Sequence, residues 1–282
     1  MSDAVQAQRE QDMSDVNSMP NSMKGKRAIV TGGGTGLGAA TAVGLARRGV
    51  NVCINYNSSA DAANEVVNQC KALGVEAFAV KANVAEDADC RALVAAAVEK
   101  LGGLEVLVNN AGITKFAKHT DLDALSSDDF LNLYKVNVVA VYQMTRAAQP
   151  HLAASGKGSV VNVSSIAGVT GIGSSIAYAS TKGALNTMTL SLARALAPNI
   201  RVNAVCPGYI GSGWFTKYQG DDVEAQTAEA VAKSVPLRVA SMPEDIAESI
   251  LFFAGPESRH VTGEFMIIDA GMHLGYAPTR AR

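Results

Sequence analysis

From Arg27 onward the chain alternates short β-branched runs with longer Ala- and Leu-rich stretches, with Gly or Asn breaks between them. This alternation predicts strands and helices in turn along one chain. The predicted strands are Arg27–Val30, Asn51–Asn55, Glu76–Val80, Leu104–Val108, Ser159–Val163, Arg201–Val205 and Phe265–Ile268. The predicted helices lie at about 37–48, 60–73, 87–101, 127–153, 177–196 and 244–254.

Several of the strand runs are apolar throughout instead of alternating, which is typical of strands covered on both faces. Strands joined through helices form right-handed crossovers, so the pattern predicts an α/β fold with a parallel sheet of about seven strands. We expect a single doubly wound, Rossmann-type domain over residues 24–282. Residues 1–23 are polar and lack a signal-peptide core, which predicts a flexible N-terminal arm.

A glycine-rich turn, Thr31-Gly32-Gly33-Gly34-Thr35-Gly36-Leu37-Gly38, follows the first predicted strand and opens the first predicted helix. Glycines suit a tight turn with positive φ and let the backbone approach a pyrophosphate. The helix N-terminus then presents free N–H groups and a partial positive charge to phosphate. Placed between strand and helix, the turn predicts a dinucleotide-binding site.

The spacing TGxxxGxG resembles the classical branch of the short-chain dehydrogenase/reductase family, and the likeness extends from about residue 24 to 275. Further matching motifs occur in the family's order along the chain. They are Asn109-Asn110-Ala111-Gly112, Asn137, Ser164-Ser165, Tyr178-Ala179-Ser180-Thr181-Lys182, Pro207-Gly208, Val261-Thr262-Gly263 and Asp269-Ala270-Gly271. The resemblance implies an oxidoreductase that transfers a hydride between a nicotinamide dinucleotide and a ketone or secondary alcohol, most often a 3-oxoacyl-thioester reductase.

Tyr178 and Lys182 are four residues apart in a predicted helix and therefore lie on one face. An ammonium about 4 Å from a phenol lowers the phenol's pKa by roughly three units at an effective dielectric of 20, although desolvation opposes this shift. Tyr178 can then act as the general acid or base at the substrate oxygen. Ser165 would hydrogen-bond the same oxygen; Ser164 is the competing candidate, and the resemblance favours Ser165.

The resemblance further implies that Lys182 binds the nicotinamide ribose and that Asn137 positions a water in a proton path. Asn is unfavourable inside a helix, which weakly supports a special role for Asn137. The turn and the resemblance together predict the cofactor contacts. These are Gly32, Gly34, Thr35, Gly36, Leu37, Gly38, Asn55, Asn57, Ser58, Asn83, Val84, Asn110, Ala111, Gly112, Tyr178, Lys182, Pro207, Gly208 and Ile210.

The choice between NADP and NAD depends on the end of the second strand. An acidic residue about 20 positions after the glycines would bind the adenosine ribose and repel a 2′-phosphate. Asn55 stands there instead, and the amide and hydroxyl of Asn57 and Ser58 can bond a phosphate. In contrast, Thr35 and the lack of a nearby Arg favour NAD. On balance we expect NADP to be preferred, and NAD remains open.

The substrate pocket is expected near residues 166–174, with Ser165, Ile172, Tyr209 and Trp214 in its lining. Residues 208–235 interrupt the strand–helix alternation and predict a flap over this pocket. No Lys or Arg cluster is evident there, which favours a neutral ketone, cyclic alcohol or acyl thioester over a small charged acid. None of the four histidines is assigned to catalysis.

The charge balance of 24 basic and 26 acidic residues gives a net charge of −2 and argues against nucleic-acid and membrane-surface binding. The four cysteines lack metal-ligand spacing, which predicts no metal site and a reducing, cytoplasmic location. The resemblance implies a homotetramer. The first alternative is an NAD-dependent dehydrogenase of a cyclic, sugar or other secondary alcohol. The others are a non-catalytic nucleotide sensor, an extended-type epimerase or dehydratase, and an enoyl reductase, whose Tyr and Lys are usually more widely spaced.

Overall fold

A computed structural model describes residues 23–275 and shows one sheet of seven parallel strands in the order β3-β2-β1-β4-β5-β6-β7. This confirms the predicted fold class. The strands are β1 (Arg27–Val30), β2 (Asn51–Tyr56), β3 (Ala77–Lys81), β4 (Val106–Asn109), β5 (Gly158–Val163), β6 (Ile200–Pro207) and β7 (Phe265–Ile268).

Helices cover both faces of the sheet and connect its strands. They are α1 (Gly36–Arg47), α2 (Ala60–Ala72), α3 (Asp87–Leu101), α4 (Ser127–Tyr134), α5 (Ala140–Ala154), α6 (Ala167–Thr170), α7 (Ile176–Leu196), α8 (Trp214–Gln219), α9 (Asp221–Ser234) and α10 (Pro243–Ala254). Each predicted strand and helix is present within one or two residues of its expected ends, except for the predicted helix at 127–153.

Alternate side chains of each strand point to opposite faces and build two separate cores. Val30 and Ile54 pack with α1, α2 and α10 on one face, whereas Ile29 and Cys53 pack with α3, α5 and α7 on the other. The apolar runs predicted from the sequence therefore serve both cores at once. This double coverage explains why the strands do not alternate in hydrophobicity.

The predicted helix at 127–153 is divided into α4 and α5 by a π-helical turn over Lys135–Val139. Such turns often occur at functional sites. The apolar pattern continues through the turn, so hydrophobic periodicity gives no sign of it. The turn contains Asn137, whose place inside a helix the sequence had already marked as unusual.

Met23, which the sequence places in the N-terminal arm, is buried in the core with α1, α2 and α10. The rest of the predicted arm, residues 1–22, and residues 276–282 lie outside the described residues. Within residues 23–275, no helix is long and apolar enough to cross a membrane, and His, Cys, Asp and Glu do not gather in groups that could bind a metal.

The strand order reverses between β1 and β4, where the chain leaves β1 toward β2 on one side and returns to β4 on the other. A crevice opens at such a switch point, outside the carboxyl ends of the strands. The glycine-rich turn after β1 and the loop after β4 flank this crevice. The fold therefore brings the predicted motifs to one edge of the sheet.

Candidate active site

A cavity of about 980 Å³ occupies the crevice at the carboxyl ends of the strands. The glycine-rich turn, the loop after β4, the end of β5, α7 and the segment after β6 all contribute to its lining. Of the predicted cofactor and catalytic residues, two do not line it, Gly34 and Asn137. All four predicted substrate-pocket residues do: Ser165, Ile172, Tyr209 and Trp214.

The glycine-rich turn has the geometry that a dinucleotide requires. Gly32 and Gly36 have φ values of +59° and +51°, which residues other than Gly rarely adopt. A Cβ on Gly38 would stand 2.2 Å from the Gly32 carbonyl oxygen, so only Gly lets α1 start this close to the turn. Thr35, the N-cap of α1, makes no side-chain cap, so the first-turn N–H groups have no side-chain acceptor there and suit a pyrophosphate.

Gly34 serves a different purpose from the one that the sequence suggests. It lies away from the cavity, and a Cβ at this position would meet Ala63 of α2 at 3.2 Å. The absence of a side chain therefore lets the turn pack against α2. Gly34 is therefore placed by packing, and its expected contact with the cofactor stays a prediction.

Two buried or partly buried asparagines hold the turn in place. Asn110 Nδ2 donates to the carbonyl oxygens of Thr31 and Gly32 at 2.9 and 3.0 Å. Asn55 Oδ1 accepts from the Gly32 N–H at 3.2 Å, and its Nδ2 donates to the Ala82 carbonyl at 2.9 Å. The Asn55 amide, which stands near the end of β2 where an acidic residue was sought, is thus bonded to the backbone of the glycine-rich turn and of the segment after β3.

The adenosine end of the cavity is polar and contains no carboxylate among the described lining residues. Asn57 and Ser58, which follow β2, line it and are exposed. Asn83 Oδ1 accepts from the Ala85 N–H at 3.1 Å, and an amide oxygen can accept a second bond. This end therefore offers neutral donors and acceptors to a ribose or a 2′-phosphate, with nothing described there that repels an anion.

Tyr178 and Ser165 both line the cavity, and the Ser165 hydroxyl is close enough to the phenol to influence its pKa. Tyr178 lies in the first turn of α7, which Ser175 caps by accepting from the Tyr178 N–H. Burial raises the pKa of Tyr178 to about 12, and the Ser165 hydroxyl opposes this rise. The phenol is therefore protonated at neutral pH and available as a proton donor.

Lys182 lies one turn after Tyr178 and is buried, with Nζ 5.6 Å from the centre of the Tyr178 ring. Its Nζ donates to the Val163 carbonyl oxygen at 2.8 Å. Burial lowers the pKa of Lys182 to about 8, although the nearby Cys206 thiol works against this.

The two pKa values correct the expectation that lysine brings the phenol near neutrality. Desolvation is the largest influence on the pKa of both side chains in the protein alone.

The structure distinguishes between the two serines after β5. The Ser164 hydroxyl is buried and donates to the Lys182 carbonyl oxygen at 3.2 Å, which fixes α7 against β5. The Ser165 hydroxyl accepts from the Ala167 N–H at 3.1 Å and faces Tyr178. Of the two, Ser165 has the placement that a substrate oxygen would meet beside Tyr178.

Asn137 lies behind the cavity lining and is buried. Its side chain accepts from the Ile113 N–H and donates to the Ile113 carbonyl, both at 2.9 Å, and also donates to Thr181 Oγ1 at 3.1 Å. A Cβ on Gly112 would stand 3.3 Å from Asn137 Oδ1 and 3.9 Å from Lys182 Nζ. Asn137 therefore joins the loop after β4 to α7 next to the lysine.

The segment 208–235, predicted as a flap, contains α8 and α9, and several of its residues line the cavity. The Glu224 carboxylate of α9 accepts from the Gly213 N–H at 2.8 Å, and from the N–H and hydroxyl of Thr216 at 3.2 and 2.8 Å. The Tyr209 hydroxyl donates to the Glu224 carbonyl oxygen at 3.2 Å. Tyr209 thus lines the cavity while its polar end holds the flap.

Charged residues at the same end were missed by the sequence analysis. Lys118, His119 and Lys217 line the cavity there, which corrects the expectation of an uncharged lining. Lys217 lies three residues after Trp214 in α8, and this spacing on one helix face was an available signal. Lys118 lies in an irregular loop whose direction only the fold determines.

Comparison with known proteins agrees with this geometry. The family model described as enoyl-(acyl carrier protein) reductase matches residues 32–273. One relative is a Streptomyces violaceoruber protein named as a ketoacyl reductase of the granaticin polyketide synthase. It is 43% identical over 247 residues, which cover 88% of this chain and 96% of that protein.

The 3-oxoacyl-acyl-carrier-protein reductase FabG of Staphylococcus aureus is 34% identical over 250 residues, covering 88% of this chain and 98% of FabG. A crystal structure of a short-chain dehydrogenase from Burkholderia cenocepacia in complex with NADP is 36% identical, with a TM-score of 0.80 over 89% of this chain and 99% of that one. With the matched family model, these relatives show that the chain belongs to the short-chain dehydrogenase/reductase family.

Proposed function

We propose that the protein is an NADPH-dependent reductase that converts a ketone, of the 3-oxoacyl-thioester type, into a secondary alcohol. The observation that carries this proposal is the placement of Tyr178, Ser165 and buried Lys182 in one cavity with the glycine-rich turn. The names of the relatives as ketoacyl and 3-oxoacyl reductases support the substrate type.

The chain's own residues supply a proton and an oxyanion site. The hydroxyls of Ser165 and Tyr178 would hydrogen-bond the ketone oxygen and stabilise its developing charge. A bound dinucleotide supplies the hydride that goes to the carbonyl carbon. The Tyr178 hydroxyl gives its proton to the oxygen, so one hydride and one proton complete the alcohol.

Lys182 and Asn137 have supporting roles in this proposal. The protonated side chain of Lys182 would hold the ribose hydroxyls and stabilise the phenolate that remains after proton transfer. Asn137 would keep the loop after β4 in register with α7 and position a water that returns a proton. Its bonds to Ile113 and Thr181 support the positioning role.

The preference for NADP follows from the neutral surroundings of Asn57 and Ser58 and from the absence of a carboxylate in the described lining there. The NADP complex of the Burkholderia cenocepacia relative supports it. We expect kcat/KM for NADPH to exceed that for NADH when oxidation is followed at 340 nm. A tenfold or larger preference for NADH would contradict the proposal.

The substrate type is tested with a short neutral thioester, S-acetoacetyl-N-acetylcysteamine, and its crotonyl counterpart. The proposal predicts NADPH oxidation with the acetoacetyl compound and none above background with the crotonyl one. Enoyl reduction, which the family model's description names, predicts the reverse. Activity confined to NAD-linked oxidation of secondary alcohols would favour an alcohol dehydrogenase, and nucleotide binding without turnover would favour a sensor.

We further propose a cytoplasmic homotetramer. Cys53, Cys70, Cys90 and Cys206 are all free and buried, which suits a reducing compartment. Leu131, Val139 and Tyr142 expose apolar surface on neighbouring turns around the π-helical segment, and association of subunits would cover it.

A further inference from the structure

The described residues that line the cavity include three lysines and a histidine, and neither an Asp nor a Glu. Composition does not explain this, because acidic residues slightly outnumber basic ones in the chain. Lys182 belongs to the proposed catalytic group. Lys118 and Lys217 have no part in that group and lie at the substrate end, on two separate segments.

Both segments are fixed by contacts of their own. The loop that carries Lys118 is bonded to the segment before α7, through Ala117 N–H to the Ser174 carbonyl at 2.9 Å and through the His119 ring to the Gly173 carbonyl at 3.2 Å. The Glu224 carboxylate fixes the start of α8, which carries Lys217.

An aromatic contact joins the two segments next to the lysines. The rings of Phe116 and Tyr218 lie 5.9 Å apart, and Tyr218 also contacts Trp214 at 5.4 Å. Phe116 is two residues before Lys118, and Tyr218 directly follows Lys217. The two ammonium-bearing segments therefore meet at the cavity.

The charges of these two lysines are available to a ligand. Lys115, close to Lys118 in sequence, is paired with Asp129 at 2.7 Å, and Lys135 is paired with Glu86 at 2.6 Å. In contrast, no described carboxylate lies within ion-pair distance of Lys118 or Lys217. Both are exposed, and Lys217 Nζ lies 5.2 Å from the centre of the Tyr218 ring, so a bound anion would not have to displace a carboxylate.

We infer that Lys118 and Lys217 form an anion-binding site at the cavity mouth, which takes a phosphate or carboxylate that the ketone substrate carries away from its reacting carbonyl. This inference rests on the proposed function, whose substrate class it narrows. Ile172 and Trp214 line the same end and would contact an apolar middle portion of such a substrate. The site favours anionic substrates through KM, since it binds a group remote from the reacting carbonyl.

The test compares matched substrates in the Lys118→Gln, Lys217→Gln double variant. One pair is acetoacetyl-coenzyme A and S-acetoacetyl-pantetheine, which differ in their phosphates; the other is 5-oxohexanoate and its methyl ester. We expect KM for an anionic member to rise about five- to tenfold while KM for its neutral partner stays within twofold. High salt should weaken the same discrimination in the parent protein.

The control variant Lys71→Gln removes one positive charge from an exposed position on α2 that does not line the cavity. It should leave all four KM values unchanged. A selective effect on the coenzyme A pair identifies a phosphate site, and one on the hexanoate pair identifies a carboxylate site. Equal effects within both pairs, or no effect in either, would overturn the inference.

A binding measurement separates this inference from the proposed function. Trp214 is the single Trp of the chain and lines the cavity, so its fluorescence reports ligands there. With the cofactor site saturated by NADP⁺, coenzyme A should bind the parent more tightly than pantetheine, and the double variant should lose that difference. If no substrate is turned over but this difference is found, the proposed function fails and the anion site remains; equal binding would remove the site.

Discussion

Burial at Tyr178 and Lys182 acts on their two pKa values in opposite directions. The pKa of the phenol is raised to about 12 and that of the ammonium is lowered to about 8. Tyr178 is thus prepared to give a proton rather than to accept one in the protein alone. The same burial makes the Lys182 charge sensitive to moderately alkaline pH.

The pH dependence of cofactor use follows from Lys182. As the pH rises through about 8, Lys182 loses the charge that would hold the ribose, while Tyr178 remains protonated. We expect kcat/KM for NADPH to be constant below pH 7 and to fall above about pH 8, since this parameter reports the free enzyme. A constant value up to pH 9.5, or the same inflection in Lys182→Met, would contradict this assignment.

The stability of Lys182→Met should move opposite to its activity. The folded pKa of Lys182 is lower than its ordinary value of 10.5, so the folded protein binds the proton less tightly than the unfolded chain. The charge therefore destabilises the fold at neutral pH, and this cost decreases as pH rises between about 8 and 10.5. We expect the variant's Tm at pH 7 to equal or exceed the parent's, and the difference to shrink at pH 10.

A clear decrease in Tm at pH 7 would show that the bond from Lys182 to the Val163 carbonyl outweighs the burial of charge. At this scale the sequence predicted which residues meet in the crevice, because motif spacing fixes their positions on the strands and on α7. It did not predict the pKa values, because these depend on how completely the surrounding fold excludes water.

The flap depends on one carboxylate that joins its two helices. Glu224 accepts three hydrogen bonds from Gly213 and Thr216. Burial opposes the charged form, but these donors outweigh it and hold the pKa of Glu224 below its usual value. The Glu224 carboxylate therefore accepts these hydrogen bonds at neutral pH, and the bonds weaken as the pH falls through that lowered pKa.

Replacing this carboxylate should loosen the flap. In Glu224→Gln, the amide nitrogen cannot accept a hydrogen bond, so some of the hydrogen bonds from Gly213 and Thr216 are lost. We expect KM for the ketone to rise about tenfold with a smaller change in kcat, because each lost bond to a charged acceptor costs roughly 1.5–3 kcal/mol and the exposed flap recovers part of that from water.

Glu229→Gln is the matched control, because Glu229 lies on the same helix and is paired with exposed Lys233. It should change neither parameter. If Glu224→Gln behaves like Glu229→Gln, the flap is held by other contacts, such as the bond from the Tyr209 hydroxyl.

The helices show where sequence patterns stop being informative. Gly, Ser and Asn breaks located most element ends, because these residues change the backbone directly. The π-helical turn at Lys135–Val139 was not predicted from the sequence, since it inserts one extra residue into the helix without changing its composition. The two flap helices, α8 and α9, were not predicted as separate elements, because their positions depend on Glu224 rather than on a local sequence signal.

At the scale of the whole molecule, the seven-stranded order and both cores follow from the alternation of strands and helices together with right-handed crossovers. The positive mouth of the cavity does not, because Lys118 and Lys217 are 99 positions apart in the sequence. Only the folded chain brings their segments into contact. The same holds for Gly34, whose packing against α2 is a tertiary contact.

The proposed tetramer predicts a solution mass of about four times the 29.2 kDa chain mass by light scattering. Tyr142→Glu should lower that mass, because it would place a charge within the apolar surface of α5 that association covers. Leu237→Glu, an equally drastic change at an exposed position outside these helices, should not. A parent protein with the mass of a single chain would contradict the proposal.

The central claim is that the Tyr178 hydroxyl gives its proton to the substrate oxygen, and Tyr178→Phe tests it most directly. The ring and its packing are kept, so we expect NADPH binding to stay within about threefold while the rate of NADPH oxidation with S-acetoacetyl-N-acetylcysteamine falls by about 10³. Tyr134→Phe, which removes a hydroxyl outside the described cavity lining, should retain the parent rate. A Tyr178→Phe rate within tenfold of the parent would contradict the claim.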